Sequence, residues 1–265
     1  MSVPHPAEAP WVIRRDAGGV ATLTLNRGER FNPLSLEMLT ALQQQLDAAG
    51  ADPSVRAVVI AAAGRGFCAG HDLKQLHAHA GDTAWQRDIF ERCSRLMMSI
   101  TELAQPVIAR VHGIASAAGC QLVASCDLAV AAEQAQFALP GVNVGVFCTT
   151  PAVGVARNVA RKHVMEMLLT GEPIDAQQAA AWGLVNRVVA AARLDAEIER
   201  YTRIIVARSA AVMAQGKRAF YRQVELGLGD AYSLASAAMA CNLELPDAAE
   251  GMQAFLEKRP PAWSD

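Results

Sequence analysis

Two nearly unbroken apolar runs, each closing in a loop of small residues, constrain this chain more than any other feature. The first is Arg56-Ala-Val-Val-Ile-Ala61, followed by Gly64-Arg-Gly-Phe-Cys-Ala-Gly-His-Asp-Leu73. The second is Pro106-Val-Ile-Ala-Arg-Val111, followed by Gly113-Ile-Ala-Ser-Ala-Ala-Gly119. A strand that is apolar at successive positions, rather than every second one, is shielded on both faces, as in a parallel sheet. Parallel neighbours need a crossover, usually a helix. The chain supplies such helices. Leu36, Leu39, Leu42 and Leu46 recur at helical spacing within Ser35–Ala49, and Trp85–Leu103 also reads as helix. The class is therefore α/β, with short helices packed between sheets.

Around this centre the pattern is regular. Trp11–Arg15 and Val20–Asn26 flank Asp16-Ala17-Gly18-Gly19 and predict a hairpin. Gly119–Ser125 opens a helix, and Leu128–Ala131 and Ala135–Leu139 predict short strands. From about Val155 the pattern turns almost wholly helical: Asp175–Trp182, Asp195–Ala210, Ala211–Leu226, Ala231–Asn242, and Asp247 to about Lys258. This predicts a core over residues 1–198 and a helical region over 199–265, packed on its own core or on another subunit.

Bulk properties exclude several function classes. The 265 residues carry a net charge of −2, so no basic field attracts nucleic acid or an anionic membrane. No stretch is long and apolar enough for a membrane span. The first ten residues lack the patterns of secretory and transit peptides. Most of the six cysteines sit in apolar runs without a C-x-x-C pair, which predicts buried free thiols rather than disulfides. His77 and His79 form an isolated pair, read as a solvated face, and no metal site is predicted. The expectation is a soluble cytoplasmic protein.

The chemistry lies in the two loops. The first reads on its own either as a plain strand-to-helix turn or as a set of exposed backbone N–H groups facing an oxyanion. The second, Ser116–Gly119, opens a helix, where N–H groups are unpaired and the dipole is positive. Small residues let a ligand approach those groups closely. Two such loops supply one N–H each to a shared carbonyl oxygen, the arrangement that stabilises an enolate or a tetrahedral oxyanion.

With these residues the chain resembles the crotonase (enoyl-CoA hydratase/isomerase) superfamily. The resemblance runs through Leu25-Asn26-Arg27, Asn32-Pro33-Leu34, Gly66–Leu73, Gly113–Gln121, Ser125–Ala129, Ala135-Gln-Phe137, Leu169-Thr-Gly171, Trp182–Asn186 and Glu250–Arg259. It covers nearly the whole chain and points to the branch of enoyl-CoA hydratase domain-containing proteins. It implies a crotonase-like spiral of ββα units with a C-terminal helical trimerisation region, giving a homotrimer or a dimer of trimers. It implies an acyl-CoA thioester as ligand and no cofactor apart from the coenzyme A of the substrate. The oxyanion-hole N–H groups fall on His71 and Ala118. Coenzyme A falls to Arg27, Arg30, Ala69, Asp72 and Leu73, with Phe255 and Lys258 from the C-terminus, in relatives sometimes that of a neighbouring subunit. The His71 imidazole either joins the pocket or is an ordinary side chain. Arg30 and Lys258 are phosphate partners or plain solvated cations.

The family's hydratases hold the attacking water between two glutamates, and here the resemblance places Gln121 and Gly141 at those positions. An amide orients a water but does not take its proton, and glycine offers nothing. Each general acid or base contributes about 10²–10⁴-fold, so classical hydration is expected to be weak or absent. Cys148 falls near the missing pair and reads as a small buried residue in preference to a nucleophile. Two alternatives stay open. One is decarboxylation or another lyase reaction, which needs an oxyanion hole but no base, with His71 as the nearest cation. The other is non-catalytic acyl-CoA binding.

Overall fold

The structure, a computed structural model, describes residues 9–264. Most of the N-terminal stretch read for targeting signals lies outside them. The mixed α/β fold is built on a six-stranded sheet and a three-stranded one. Strand β1 (Val12–Ala17) turns back into β2 (Val20–Leu25) as the predicted antiparallel hairpin. Gly18 and Gly19 have φ of 57° and 78°, the paired left-handed conformation that matches hairpin twist. Along β2, Ala21, Leu23 and Leu25 are buried while Val20, Thr22 and Thr24 are half-buried, as the alternation requires.

Helix α1 (Leu36–Ala51) starts where the Ser35 hydroxyl accepts from the Met38 N–H at 3.3 Å, an N-cap. Then come β3 (Ala57–Ala62), α2 (Leu73–Ala78), α3 (Thr83–Glu102), β4 (Val107–Val111), β5 (Ala115–Ser116), α4 (Ala118–Ser125), β6 (Leu128–Ala132) and β7 (Gln136–Ala138). Helices α5 (Thr149–Val155) and α6 (Arg161–Thr170), strand β8 (Ile174–Asp175), helix α7 (Ala176–Ala181) and strand β9 (Arg187–Val189) complete this part. The large sheet has the order β1-β2-β3-β4-β6-β9 and is parallel from β2 onward. The small sheet, β5-β7-β8, ties the second small-residue loop to the segment before Gly141.

The apolar runs are buried on both faces for the expected reason. In β3, Val58 and Ile60 face the main core under α1 and α3, while Ala57 and Val59 face a second core. That second core is covered by α8 (Leu194–Val206) through Leu194, Ile198 and Ile205. The division drawn at 198/199 therefore falls inside a helix that packs on the sheet. The helices that leave the sheet are α9 (Ala210–Gln223), α10 (Leu228–Leu243) and α11 (Pro246–Glu257). Neither α9 nor α10 has a buried residue. The helical reading after Val155 needs one correction: β8 and β9 lie within it. Both are two or three residues long and exist because β7 and β6 offer partners, which local periodicity does not register.

All six cysteines are unpaired; five are buried and Cys241 is exposed. Among the described residues no helix is long and apolar enough to cross a membrane, and no group of His, Cys, Asp and Glu side chains gathers as metal ligands.

Candidate active site

The two loops predicted to cooperate are laced together by backbone hydrogen bonds. Phe67 and Cys68 N–H groups donate to Ile114 O at 2.9 and 3.1 Å, and Ser116 N–H donates back to Cys68 O at 2.8 Å. Asn32 anchors the first loop from beneath. Its fully buried amide donates to Ala63 O, Gly66 O and Phe67 O at 2.9–3.2 Å, and its Oδ1 accepts from Arg27 N–H at 2.8 Å. Asn32 carried no role in the sequence reading. Its signal was an Asn at a turn before proline, here at φ 51°.

Contact between the loops is close. Gly70 has φ 89°, and a Cβ placed on it would lie 2.9 Å from Ala117 Cβ and Ser116 O and 3.3 Å from Ala118 N. A Cβ on Gly119 would collide with Cys68 O. Ala117 takes up the sharp turn at φ 49° and ψ −118°, held by its N–H donating to Ala138 O at 2.9 Å. Such a conformation costs an L-residue roughly 1–3 kcal/mol and persists only when its surroundings fix it. The His71 and Ala118 N–H groups donate to no protein acceptor among the described residues. Unpaired N–H donors on closely packed loops, one at the positive end of α4, are groups that can receive a carbonyl oxygen.

The His71 ring is fixed more tightly than its sequence suggests. Nδ1 lies 3.3 Å from Leu34 O, and the ring stands edge-on to Phe90 at 5.1 Å. A nitrogen facing a carbonyl must carry the proton, so Nε2 is the bare acceptor. Nε2 is buried without a partner. Burial, opposed only by the Leu34 carbonyl, lowers the imidazole pKa below its ordinary 6.5. The free ring therefore favours its neutral form at pH 7. A depressed pKa means that the unfolded chain takes up the proton first. The stability contribution is thus complete above 6.5 and is lost as pH falls through the folded value. His112, also lowered mainly by burial, acts in the same direction. His71→Asn, which keeps a donor for Leu34 O, is expected to flatten part of the fall in melting temperature between about pH 7.5 and 5. An unchanged slope in that titration would mean that the ring is protonated in the fold without cost.

The glutamate positions behave differently from each other. Gln121 is 4 % exposed, and its side-chain oxygen has no hydrogen-bond partner. It lies on the α5 side of α4, where a Cβ on Gly154 would sit 3.5 Å from Gln121 Cγ. Gly141 is closed. Its N–H donates to Cys148 Sγ at 3.3 Å, and a Cβ would lie 2.7 Å from Val146 O and 2.9 Å from Cys148 Sγ. Burial raises the pKa of the Cys148 thiol, whose Sγ accepts from the Gly141 N–H. We expect Gln121→Glu combined with Gly141→Glu to hydrate crotonyl-CoA no faster than the parent and to melt several degrees below it. Recovery of fast hydration in a stopped assay would show that the loop yields to the added side chain.

The remaining candidates are spread along the surface. Arg27 donates to Ala9 O, Pro10 O and Asn26 O at 2.7–3.1 Å and covers the Trp11 ring at 4.0 Å, so its guanidinium is engaged within the chain. Arg30 is exposed. Ala69 N–H donates to Phe31 O at 2.9 Å. The Asp72 carboxylate caps α2, accepting from Lys74 and Gln75 N–H at 2.9 and 3.2 Å, and Leu73 is exposed at the first turn. Phe255 and Lys258 stand exposed at the end of α11, with Phe255 82 % accessible.

The family model described as enoyl-CoA hydratase/isomerase matches residues 15–265. The chain belongs to the enoyl-CoA hydratase/isomerase family. Human enoyl-CoA hydratase domain-containing protein 3, mitochondrial, is 46% identical over 263 residues, which cover 99% of this chain and 85% of that protein. The crystal structure of an enoyl-CoA hydratase from Mycobacterium smegmatis superposes with a TM-score of 0.94 at 54% identity, covering 96% of this chain and 99% of that one. The crystal structure of the human domain-containing protein 3 gives 0.93 at 46%, with 96% and 100% covered. These likenesses establish the crotonase fold and its family.

Proposed function

We propose that this enoyl-CoA hydratase/isomerase-family protein binds an acyl-CoA thioester with its carbonyl oxygen between the N–H groups of His71 and Ala118. The observation that supports this reading is the close packing of the two loops, where a Cβ placed on Gly70, next to His71, would lie 3.3 Å from Ala118 N. Negative charge that develops on the thioester oxygen as an enolate forms is stabilised there. Classical hydration is weak or absent in this reading, because Gln121 has no basicity and Gly141 has no room for a carboxylate. Coenzyme A enters as part of the substrate, and no other cofactor is involved.

The closure at Gly141 favours a second reading, acyl-CoA binding without turnover. Decarboxylation would need a group to hold the substrate carboxylate, and the candidate, the His71 ring, is buried in a way that disfavours its charged form. A homotrimer or a dimer of trimers accounts for the unburied helices, among whose exposed residues are Phe220, Leu228, Tyr232 and Met239. It also lets Phe255 and Lys258 serve a neighbour's coenzyme A. The reading includes neither nucleic acid nor membrane. It places the protein in the cytoplasm, a reducing setting that suits six free thiols.

Calorimetric titration with butyryl-CoA, beside a crotonyl-CoA hydration assay at high enzyme concentration, tests this. Saturable binding with little hydration is the expected result. Absence of binding overturns the reading. Rapid hydration that Gln121→Ala abolishes would show that water activation survives without the carboxylate pair.

A further inference from the structure

The segment after α11 folds back along that helix. Residues 259–264 form neither helix nor strand, and such ends are poorly ordered in most domains unless tied down. This one is tied at three points. The Arg259 guanidinium donates to both Glu250 oxygens at 2.6 and 3.0 Å, and Ala262 N–H donates to Glu250 Oε1 at 2.7 Å. Ser264 N–H donates to Oδ1 of the buried Asp247 at 2.7 Å. The Trp263 indole N–H donates to Ala207 O, at the end of α8, at 2.9 Å. The Trp263 ring lies over Gly251, where a Cβ would come 3.2 Å from two ring carbons. A glycine within a helix weakens it. Here its bare backbone makes room for the indole.

These contacts sort α11 into two faces. Asp247, Glu250, Gly251 and Ala254 recur at helical spacing and face the tail or the protein, while Met252, Phe255 and Leu256 are exposed. Ala254 is the one apolar residue that α11 buries, so hydrophobic contact alone fixes the helix weakly. The tail instead links it to α8, which is packed on the sheet. We infer that Trp263 is a positioning residue: through the tail it holds α11 in one place, so that Phe255 and Lys258 are presented ready-ordered to the nucleotide end of coenzyme A. The inference rests on the acyl-CoA reading above, and it holds whether that coenzyme A belongs to the same subunit or to a neighbour. Pre-ordering a contact raises affinity by removing the cost of ordering it on binding. A loosened α11 therefore weakens only ligands that carry the nucleotide. The acyl end, held at His71 and Ala118 on other elements, is unaffected.

The test compares butyryl-CoA with butyryl-pantetheine, the same thioester without the adenine nucleotide, in the parent, Trp263→Ala and Trp263→Phe. The parent is expected to prefer butyryl-CoA. Trp263→Ala is expected to lose about tenfold in affinity for butyryl-CoA and less than about twofold for butyryl-pantetheine. Trp263→Phe keeps a ring over Gly251 but lacks the indole donor, and is expected to lose about threefold for butyryl-CoA alone. Added to Phe255→Ala, Trp263→Ala is expected to cost little more, because the two residues then act as one unit. Equal losses for both thioesters, no loss for either, or full additivity with Phe255→Ala overturn the inference. Trp263→Phe decides the matter if Trp263→Ala does not fold. Failure of both thioesters to bind the parent would instead overturn the acyl-CoA reading itself.

Discussion

Lys217→Met is expected to lower the melting temperature by about 10 °C, at a cost of roughly 3–5 kcal/mol for breaking one side of a buried ion pair. Lys217 stands on α9 and reaches into the core. Its ammonium donates to Asp127 Oδ2 at 2.6 Å, to Ile100 O at 2.9 Å and to Gln105 O at 3.0 Å. Asp127 also accepts from Val107 N–H at 2.6 Å and from the Tyr221 hydroxyl at 2.9 Å. The side chains of Lys217 and Asp127 are only 7% and 16% exposed. One ammonium therefore closes the end of α3, the entry to β4 and the start of β6 onto α9. Methionine keeps much of the aliphatic length but leaves a carboxylate and two carbonyls without their donor. Tyr221→Phe removes one hydrogen bond from the same carboxylate and is expected to cost only about 1 kcal/mol. Since α9 has no buried residue of its own, this cluster is its main polar anchor, and the loss should appear in sedimentation as well as in the melt. Equal melting of Lys217→Met and the parent would sink the anchor argument.

That cluster joins residues 90 positions apart, and nothing local in the chain foretells it. Legibility here followed the range of the interaction that decides each feature. β3 and β4 were readable because solvent exclusion on both faces leaves a continuous apolar run. The β1–β2 hairpin was readable because two glycines in series suit only a few turns. β9 was not readable, because Arg187-Val-Val189 becomes a strand only when β6 offers its edge. The site divides in the same way. Glycine and alanine clusters marked where the backbones of Gly70–His71 and Ala117–Ala118 come close together. The state of the second carboxylate position was legible only in part. Glycine there showed that the acid was missing, while the filling of its space by Val146 O and Cys148 Sγ depends on how residues 141–148 fold back. His71 illustrates the limit from the other side. Its tautomer follows from Leu34 O, 37 positions away, and its lowered pKa from burial that outweighs that carbonyl, with the Phe90 ring, 19 positions away, packed edge-on against it.

Gly70→Ala should separate the oxyanion donors while leaving most of the fold in place. Its methyl would enter 2.9 Å from Ala117 Cβ and Ser116 O and 3.3 Å from Ala118 N, so the loops must part by several tenths of an ångström. Backbone strain also contributes, because φ at Gly70 is 89°. Gly81 separates the two effects. It has φ 85°, yet nothing lies within 4 Å of a Cβ placed there. Gly81→Ala therefore carries the strain without the intrusion, each worth about 1–3 kcal/mol at such a backbone position. The readout is the carbon-13 resonance of the thioester carbonyl in bound butyryl-CoA. Donors aimed at the oxygen polarise the carbonyl and move the resonance downfield; donors pushed apart do not. Gly70→Ala should lose more stability than Gly81→Ala, and only Gly70→Ala should lose the downfield shift. Any turnover that depends on the enolate should fall by about 10²–10³ with it. A bound carbonyl equally polarised in Gly70→Ala would show that the oxygen sits elsewhere and that the closeness of the two loops serves packing alone.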